Sequence, residues 1–500
     1  MTPSPPDSNS GRSGLYRQMG LLGLASTGIC SMLGASIYVV PFMIHRNVPG
    51  IGPYVLPAFL LAAVPAILAA FAYSILASAM PRAGGSYIYA SRGLNPYLGF
   101  VASFSQWFGL SIAIGVVSYV IVPFLRDIAA AVGWADVATW LEIGIVRVTI
   151  ALSVLWFFVW VNIRGIKLYE RTVIPLMFLM FGLGTIVIIA GFYFDSNDFS
   201  FALQAKENRQ IFQHDSVFSI STFLSASAVL FSSFIGFDSI AQAGGEAKNP
   251  ERALPLAIAI AVVTVGSFYM IFTSAAYHAV PWSFVAEEAM KKDITAPGLM
   301  SYLLPSGWTI AIVAGAAIAL TNDLPAMLLS VSRLMFAWAE DGIFTKQVKL
   351  IHSKFHTPYV ALLLSGVMAS MGILGSHFAG DFFLGIDIMV TSMLVNFLLM
   401  CFSVITIPKH NPELSNKIKV IKSRKTQVWL SCSGAAILLG FLVIHIFKDL
   451  STSVSEWYFH STFVWIIIMA IASVIYFNEL SKLKKAGVDT KKLFLKLPPE

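Results

Sequence analysis

Charge is scarce in this chain of 500 residues: Asp, Glu, Lys and Arg make up 12% of it, about half their share in water-soluble globular proteins. A soluble fold is excluded on that ground. Cysteine is nearly absent as well. Cys30, Cys401 and Cys432 all fall inside apolar runs, which leaves neither a disulfide framework nor a metal-ligand spacing. No Walker-type or dinucleotide-binding Gly-rich loop occurs, so ATP-driven pumping has no motor, and no cofactor or metal is expected. The few intramembrane His and Asp residues are scattered along the chain. A membrane-embedded enzyme, which needs an acid and base or a nucleophile within reach, is therefore disfavoured.

What the chain has in abundance is apolar length. Hydrophobic residues make up 57% of it, and the mean hydropathy is +0.76. A hydrocarbon core about 30 Å thick takes about 20 apolar residues per helix. Apolar windows fall at 18–45, 53–79, 96–124, 143–162, 172–194, 216–243, 254–280, 307–337, 357–376, 382–407, 427–447 and 459–478. The expectation is an all-α membrane protein of twelve transmembrane helices, with the first, sixth and eighth the least regular. The polar stretch 1–17 reads as a disordered tail. The first apolar run exceeds the core of a signal peptide and is expected to be retained.

The net charge of +7 is explained by topology. With twelve spans, 25 of the 33 Lys and Arg residues fall on the side of the termini, and the positive-inside rule places both termini in the cytoplasm of a cell-membrane protein. Nucleic acid is set aside as a partner. The Lys-rich stretch 481–500 reads as a basic cytoplasmic tail beside anionic lipid.

Two spans carry residues ill suited to a continuous helix. In the first, Ile29-Cys30-Ser31-Met32-Leu33-Gly34-Ala35-Ser36 gathers small and hydroxyl residues at mid-membrane depth. In the sixth, Ser232-Ser233-Phe234-Ile235-Gly236-Phe237-Asp238 does the same. Paired interruptions about 200 residues apart are the mark of an inverted repeat with its substrate at the breaks. An exposed half-helix N-terminus favours a carboxylate and an exposed C-terminus an ammonium, so such a site suits a free amino acid or a plain amine.

Four motifs in order resemble those of permeases of the amino acid-polyamine-organocation superfamily. They are Leu33-Gly34-Ala35-Ser36-Ile37-Tyr38-Val39-Val40-Pro41, Pro81-Arg82-Ala83-Gly84-Gly85-Ser86-Tyr87-Ile88-Tyr89, Phe234 to Asp238 with the following Glu246 to Pro255, and Ser332-Arg333 with Ala339-Glu340-Asp341-Gly342. The resemblance implies a five-plus-five inverted repeat (18–194 and 216–407) forming a transport core of ten helices over 18–407. Helices 11 and 12 occupy 408–480. It implies alternating access, with amides of Gly34, Ala35 and Ser36 for a substrate carboxylate. Carbonyls of Ser233, Phe234 and Ile235, beside Gly236, would hold the amine. Arginine/agmatine antiporters of the superfamily carry a Trp where this chain has Ser232, and proton-coupled bacterial relatives a Lys near Met180. Their absence disfavours arginine antiport.

Buried carboxylates are costly and so are functional candidates. Asp238 is expected to gate or carry a proton, against a structural role as a helix cap. Asp323, in Thr321-Asn322-Asp323-Leu324-Pro325, is expected to bind a cation, a proton or an ammonium, against a buried Asp satisfied by its surroundings. Glu246, with Lys248 and Arg252, is expected to form ion pairs at the cytoplasmic gate. Asp387, His278 and His445 read as interfacial, Trp107, with Gln106, as packing or pore-facing, and Phe231, Phe234 and Phe237 as lids or packing. The function expected is secondary active transport of an amino acid or small amine, proton-coupled. An amine/polyamine permease, a substrate exchanger and a non-transporting receptor remain open.

Overall fold

The computed structural model describes residues 15–212, 216–379, 383–452 and 457–498. The tail expected over 1–17 lies outside them up to position 14. Among the described residues every regular element is a helix, apart from two isolated bridges, Met19–Ala247 and Ala83–Ala243.

In chain order the first half contains α1 (Leu21–Leu33), α2 (Ala35–Asn47), α3 (Val55–Ala79), α4 (Gly85–Gly93), α5 (Pro96–Ala131), α6 (Ala135–Glu142), α7 (Gly144–Ile163), α8 (Ile166–Tyr193) and α9 (Ser196–Glu207). The second contains α10 (Ile220–Leu230), α11 (Asp238–Gln242), α12 (Pro250–Ala279), α13 (Trp282–Lys291), α14 (Ala296–Met300), α15 (Ser306–Glu340), α16 (Tyr359–Ala379) and α17 (Phe383–His410). Then come α18 (Pro412–Ser415), α19 (Arg424–Ser451), α20 (Ser461–Lys485) and α21 (Thr490–Leu493). Grouped into spans, the described residues hold twelve helices long and apolar enough to cross a membrane, with α1–α2 and α10–α11 each counting as one.

Local sequence explains the boundaries. Pro96 opens α5 behind Asn95, whose side chain accepts from the amides of Tyr97 at 2.9 Å and Leu98 at 3.3 Å. Gly165, at φ +105°, makes the tight passage from α7 to α8. The eighth span, expected to be irregular, stays one helix through Pro325, and Asn162 on α7 donates to the Pro325 carbonyl at 3.3 Å.

The long helix α5 stands at the centre, packed against α15, α16 and α17. Apolar side chains such as Leu60, Phe178 and Val263 are exposed on the outside of the bundle, which is the surface a lipid environment takes. Both described ends of the chain lie on one face. The amides of Gln18 and Met19 donate to the Glu246 carbonyl, both at 2.9 Å, and Arg82 donates to the carbonyl of Pro498 at 3.2 Å. The basic tail is only partly a solvated one: Lys491, Lys492 and Lys496 are exposed, but Phe494 is buried under Arg92, which donates to the Lys496 carbonyl at 3.1 Å. An apolar anchor every few residues outweighs the lysines' preference for solvent.

Candidate functional site

Both irregular spans are interrupted where their small residues cluster. The first breaks at Gly34 (φ −52°, ψ −130°), between α1 and α2. The sixth passes from α10 through a 3-10 turn, Phe231–Phe234, to extended Ile235 and to Gly236 at φ +135° before α11. Only glycine tolerates that φ, and a second constraint acts there: a Cβ on Gly236 would lie 2.5 Å from the Ser31 carbonyl carbon and overlap its oxygen. The two breaks are thus in backbone contact, and the hydroxyls of Ser31 and Ser239 meet at 3.1 Å.

Beside this contact lies a cavity of about 60 Å³. Its polar lining is Ser31, Ser232 and Asp323; the rest is apolar, with Ile235 at the sixth break, Val39, Val116 and Val120 toward the face opposite the termini, and Met327 and Met389. No Lys, Arg or His lines it. Ser232 Oγ and Asp323 Oδ1 are buried without a hydrogen-bond partner. Such groups are rare in folded proteins and mark places where a polar ligand or water is received.

Asp323 is 6% exposed and reaches from α15 to the first break. A Cβ on Gly34 would overlap Asp323 Oδ2 and lie 2.7 Å from its Cγ. The carboxylate therefore rests against the backbone where α1 ends and α2 begins. The alternative of an Asp satisfied by neighbouring hydroxyls finds no support in its Oδ1. Its neighbour Asn322 turns away, donating to Cys30 Sγ at 3.0 Å and to the Val173 carbonyl at 3.1 Å.

Asp238 does not line the cavity. It is fully buried toward the terminal face, where Oδ1 accepts from the Gly236 amide at 3.1 Å and Oδ2 from the Gln106 side chain. The Gln106 oxygen accepts from Gln242 at 3.3 Å and Asn396 at 3.2 Å. Asn396 donates to the Tyr73 hydroxyl at 2.7 Å, and Tyr73 and Gln242 both meet Ser86 Oγ at 2.7 Å. This network of neutral side chains joins α3, α4, α5, α11 and α17 around one carboxylate, with Asn396 Oδ1 left unpartnered.

Two ion pairs close the terminal face. Arg333 grips Glu246 with Nη2 to Oε1 at 2.5 Å and Nε to Oε2 at 3.1 Å, both side chains 1% exposed. Arg92 pairs with Asp341, Nη2 to Oδ1 at 2.8 Å, and the Tyr87 hydroxyl donates to the same carboxylate at 2.6 Å. Glu246 thus pairs with Arg333, while Lys248 and Arg252, expected as its partners, are exposed. Their positions on a short loop gave no sign that a helix eighty residues downstream would reach in.

Of the residues expected at the substrate, Ile235 and Asp323 line the cavity, and Gly34 and Gly236 form the backbone contact between the breaks. Ala35 and Ser36 open α2 by their backbone; their side chains lie outside the description. Ser233 is buried but does not line the cavity, and Phe234 packs on Phe59 and Tyr269. Phe231 and Phe237 both pack on Phe397, a packing role rather than a lid. Trp107 donates to Ser365 at 3.3 Å and lies away from the cavity. Near the opposite face Asp387 is half-buried, and its carbonyl faces Nε2 of the buried His445 at 3.2 Å. His278 contacts the Gly191 carbonyl at 2.9 Å. Met327 lines the cavity without having stood out in the sequence; Ser31 and Ser232 line it as members of the interrupted runs, and Gln106, noted with Trp107 as a pore-facing candidate, holds Asp238 instead. Ser31 had one further signal, its place one turn before Gly34 on the same helix face.

A family model described as amino acid permease matches residues 19–481. A branched-chain amino acid permease of Bacillus subtilis is 25% identical over 95% of this chain and 96% of its own length. Cationic amino acid transporter 4 of Mus musculus is 27% identical over 73% of this chain, which spans 56% of that longer protein. A low-affinity putrescine importer of Escherichia coli is 21% identical over 78% of this chain and 79% of its own.

Proposed function

Because the chain belongs to the amino acid permease family of the amino acid-polyamine-organocation superfamily, and so is a multi-pass membrane transporter, we propose that it is a secondary active transporter. It carries an amino acid or related small amine by alternating access, coupled to protons. The observation that carries this reading is the meeting of two broken helices beside a small cavity that one carboxylate, Asp323, lines. Half-helix ends there offer fixed dipoles to a charged solute at mid-membrane. The names of the relatives, an amino acid permease and a putrescine importer, are consistent with either solute class.

In this reading 18–194 and 216–407 are the inverted repeats, and the terminal face is cytoplasmic, in keeping with the excess of Lys and Arg on that side. The bidentate Glu246–Arg333 and Arg92–Asp341 pairs are the inward gate, and on the outer side Arg46 on α2 pairs with Asp293 at 2.7 Å while the Tyr277 hydroxyl donates to the Pro41 carbonyl at 2.7 Å. A rocking motion that parts the inward pairs would open the cavity inward. Asp238 and Asp323 are the proton-linked carboxylates, since each is buried with no cation against it. Purified protein in sealed proteoliposomes tests the proposal. An inward proton gradient should drive accumulation of a labelled amino acid or amine above its equilibrium level, and a sodium gradient should not. Accumulation that followed sodium and ignored pH would remove proton coupling. Uptake limited to bound stoichiometry would make the protein a receptor.

A further inference from the structure

We propose that the Asp323 carboxylate occupies the place that a substrate carboxylate would take at the first break, so that the site accepts a primary amine lacking an α-carboxylate in preference to an amino acid. The proposal rests on the transport reading and narrows its substrate class.

Three observations carry it. First, α2 is a 13-residue helix whose N-terminus at Gly34 has no side-chain cap and no acidic residue in its first turn. Its positive end therefore calls for an anion, and the carboxylate found there is the chain's own, with Asp323 Oδ2 so close to Gly34 that a Cβ could not be placed between them. Second, Asp323 is more than nine-tenths buried, its Oδ1 has no partner, and it faces the cavity, where no cationic side chain balances it. A buried carboxylate in that setting is completed by a cation that enters with the ligand. Third, the remaining lining suits the rest of an amine. Ser232 Oγ, also unpartnered, can accept a second ammonium proton, while Val39, Val116, Val120 and Met389 offer apolar walls to a hydrocarbon body. Met327 and Met389 are flexible enough to yield to a body larger than the present cavity.

An amino acid meets an obstacle here. Its carboxylate, drawn to the N-terminus of α2, would lie beside Asp323, and two carboxylates at contact distance cannot both stay ionised in an apolar site. An amine brings the ammonium alone.

The test uses pairs that differ only by carbon dioxide: valine and isobutylamine, leucine and isoamylamine, ornithine and putrescine. Binding of each to the purified full-length protein is measured by calorimetry, and each is offered for uptake in proteoliposomes. The amine of at least one pair should bind on the order of 100-fold more tightly than its amino acid, the scale set by leaving a buried charge unpaired. Asp323→Asn, checked for a wild-type melting temperature, should abolish that preference. An amino acid that binds as well as or better than its amine to the wild-type protein overturns the proposal, and this comparison needs no variant. Accumulation of amino acids over amines would leave transport standing and remove the inference. Tight amine binding without accumulation would do the reverse. If no member of any pair binds, the inference falls whatever else the vesicles take up.

Discussion

Replacing Glu246 by Gln should open the terminal face, and the structure gives the size of the effect. Both members of the Glu246–Arg333 pair are 1% exposed, and two hydrogen bonds, at 2.5 and 3.1 Å, join them. Removing one partner from a buried pair leaves an uncompensated charge and costs about 3–5 kcal/mol. If the pair exists only with this face closed, that cost falls on the closed state alone. The closed-to-open ratio should then drop by between about 100-fold and a few thousand-fold. Ala247 is fully buried beside the pair, so a cysteine there, in a chain whose own cysteines are replaced, reports the opening through its rate of reaction with a membrane-impermeant thiol reagent. Glu246→Gln and Arg333→Met should each speed the reaction strongly. The double variant, with neither charge, should be much less than additive. Equal labelling of wild type and single variants, or full additivity in the double, would show that the pair does not hold the gate.

Gly236→Ala should cost at least about 3 kcal/mol, from a left-handed backbone and a Cβ 2.5 Å from the Ser31 carbonyl carbon; an unchanged melting temperature would refute the contact. Asp238→Asn preserves side-chain volume, gives up one of the two accepted hydrogen bonds and cannot release a proton, so exchange across vesicles with solute on both sides should persist while proton-driven accumulation is lost. Accumulation at the wild-type level would remove Asp238 from the coupling. On the face opposite the termini, the Tyr302 hydroxyl holds Glu207 and Lys291 holds Glu287 below the ordinary carboxylate value; burial pushes Glu288 up, but hydrogen bonds from Arg209 and Lys292 more than offset it. Depressed carboxylates contribute stability above their unfolded pKa and lose it as pH falls through the folded one. Arg209→Met should therefore lower the melting temperature most near neutrality, with the deficit closing between about pH 5 and pH 3; a deficit independent of pH would contradict this. Phe494→Ala should loosen the tail from Arg92 at a local cost of about 3 kcal/mol, read as faster amide exchange in α4, and unchanged exchange there would mean that the tail does not brace it.

The helical class and the twelve spans were legible because apolar length is a property of composition, which needs no tertiary information. The breaks at Gly34 and Gly236 were legible for a related reason: hydroxyl and small residues at mid-membrane cannot be explained by lipid contact. Partners were not. Glu246 meets Arg333, and Tyr87 meets Asp341, across separations fixed by how helices cross rather than by any spacing along the chain. The continuity of α15 was missed because Pro325 reads as a breaker, while the packing of α15 on α5 and α8 that keeps it one helix is fixed by elements far upstream. Ser232 looked like one of two equivalent serines. Only the turn of backbone into the 3-10 segment decides that it, and not Ser233, lines the cavity.

Asp238 and Asp323 sit on opposite sides of the paired breaks, in different surroundings. Asp238 is enclosed by neutral donors, with Gly236 on one oxygen and Gln106 on the other, and the Gln106 oxygen accepts in turn from Gln242 and Asn396. A charge held this way can be gained or lost as a proton without any solute entering, but each change must be felt through Gln106 and Asn396 on α5 and α17. Asp323 has an open oxygen and an apolar cavity before it, so its charge is answered only by what arrives there. Because the Gly236 backbone carries the amide to Asp238 and also presses on the Ser31 carbonyl one turn before Gly34, a proton on one side and a solute on the other act on the same few backbone atoms. That shared backbone is where coupling between them would have to pass, and it explains why a methyl group at position 236 should harm both tasks together.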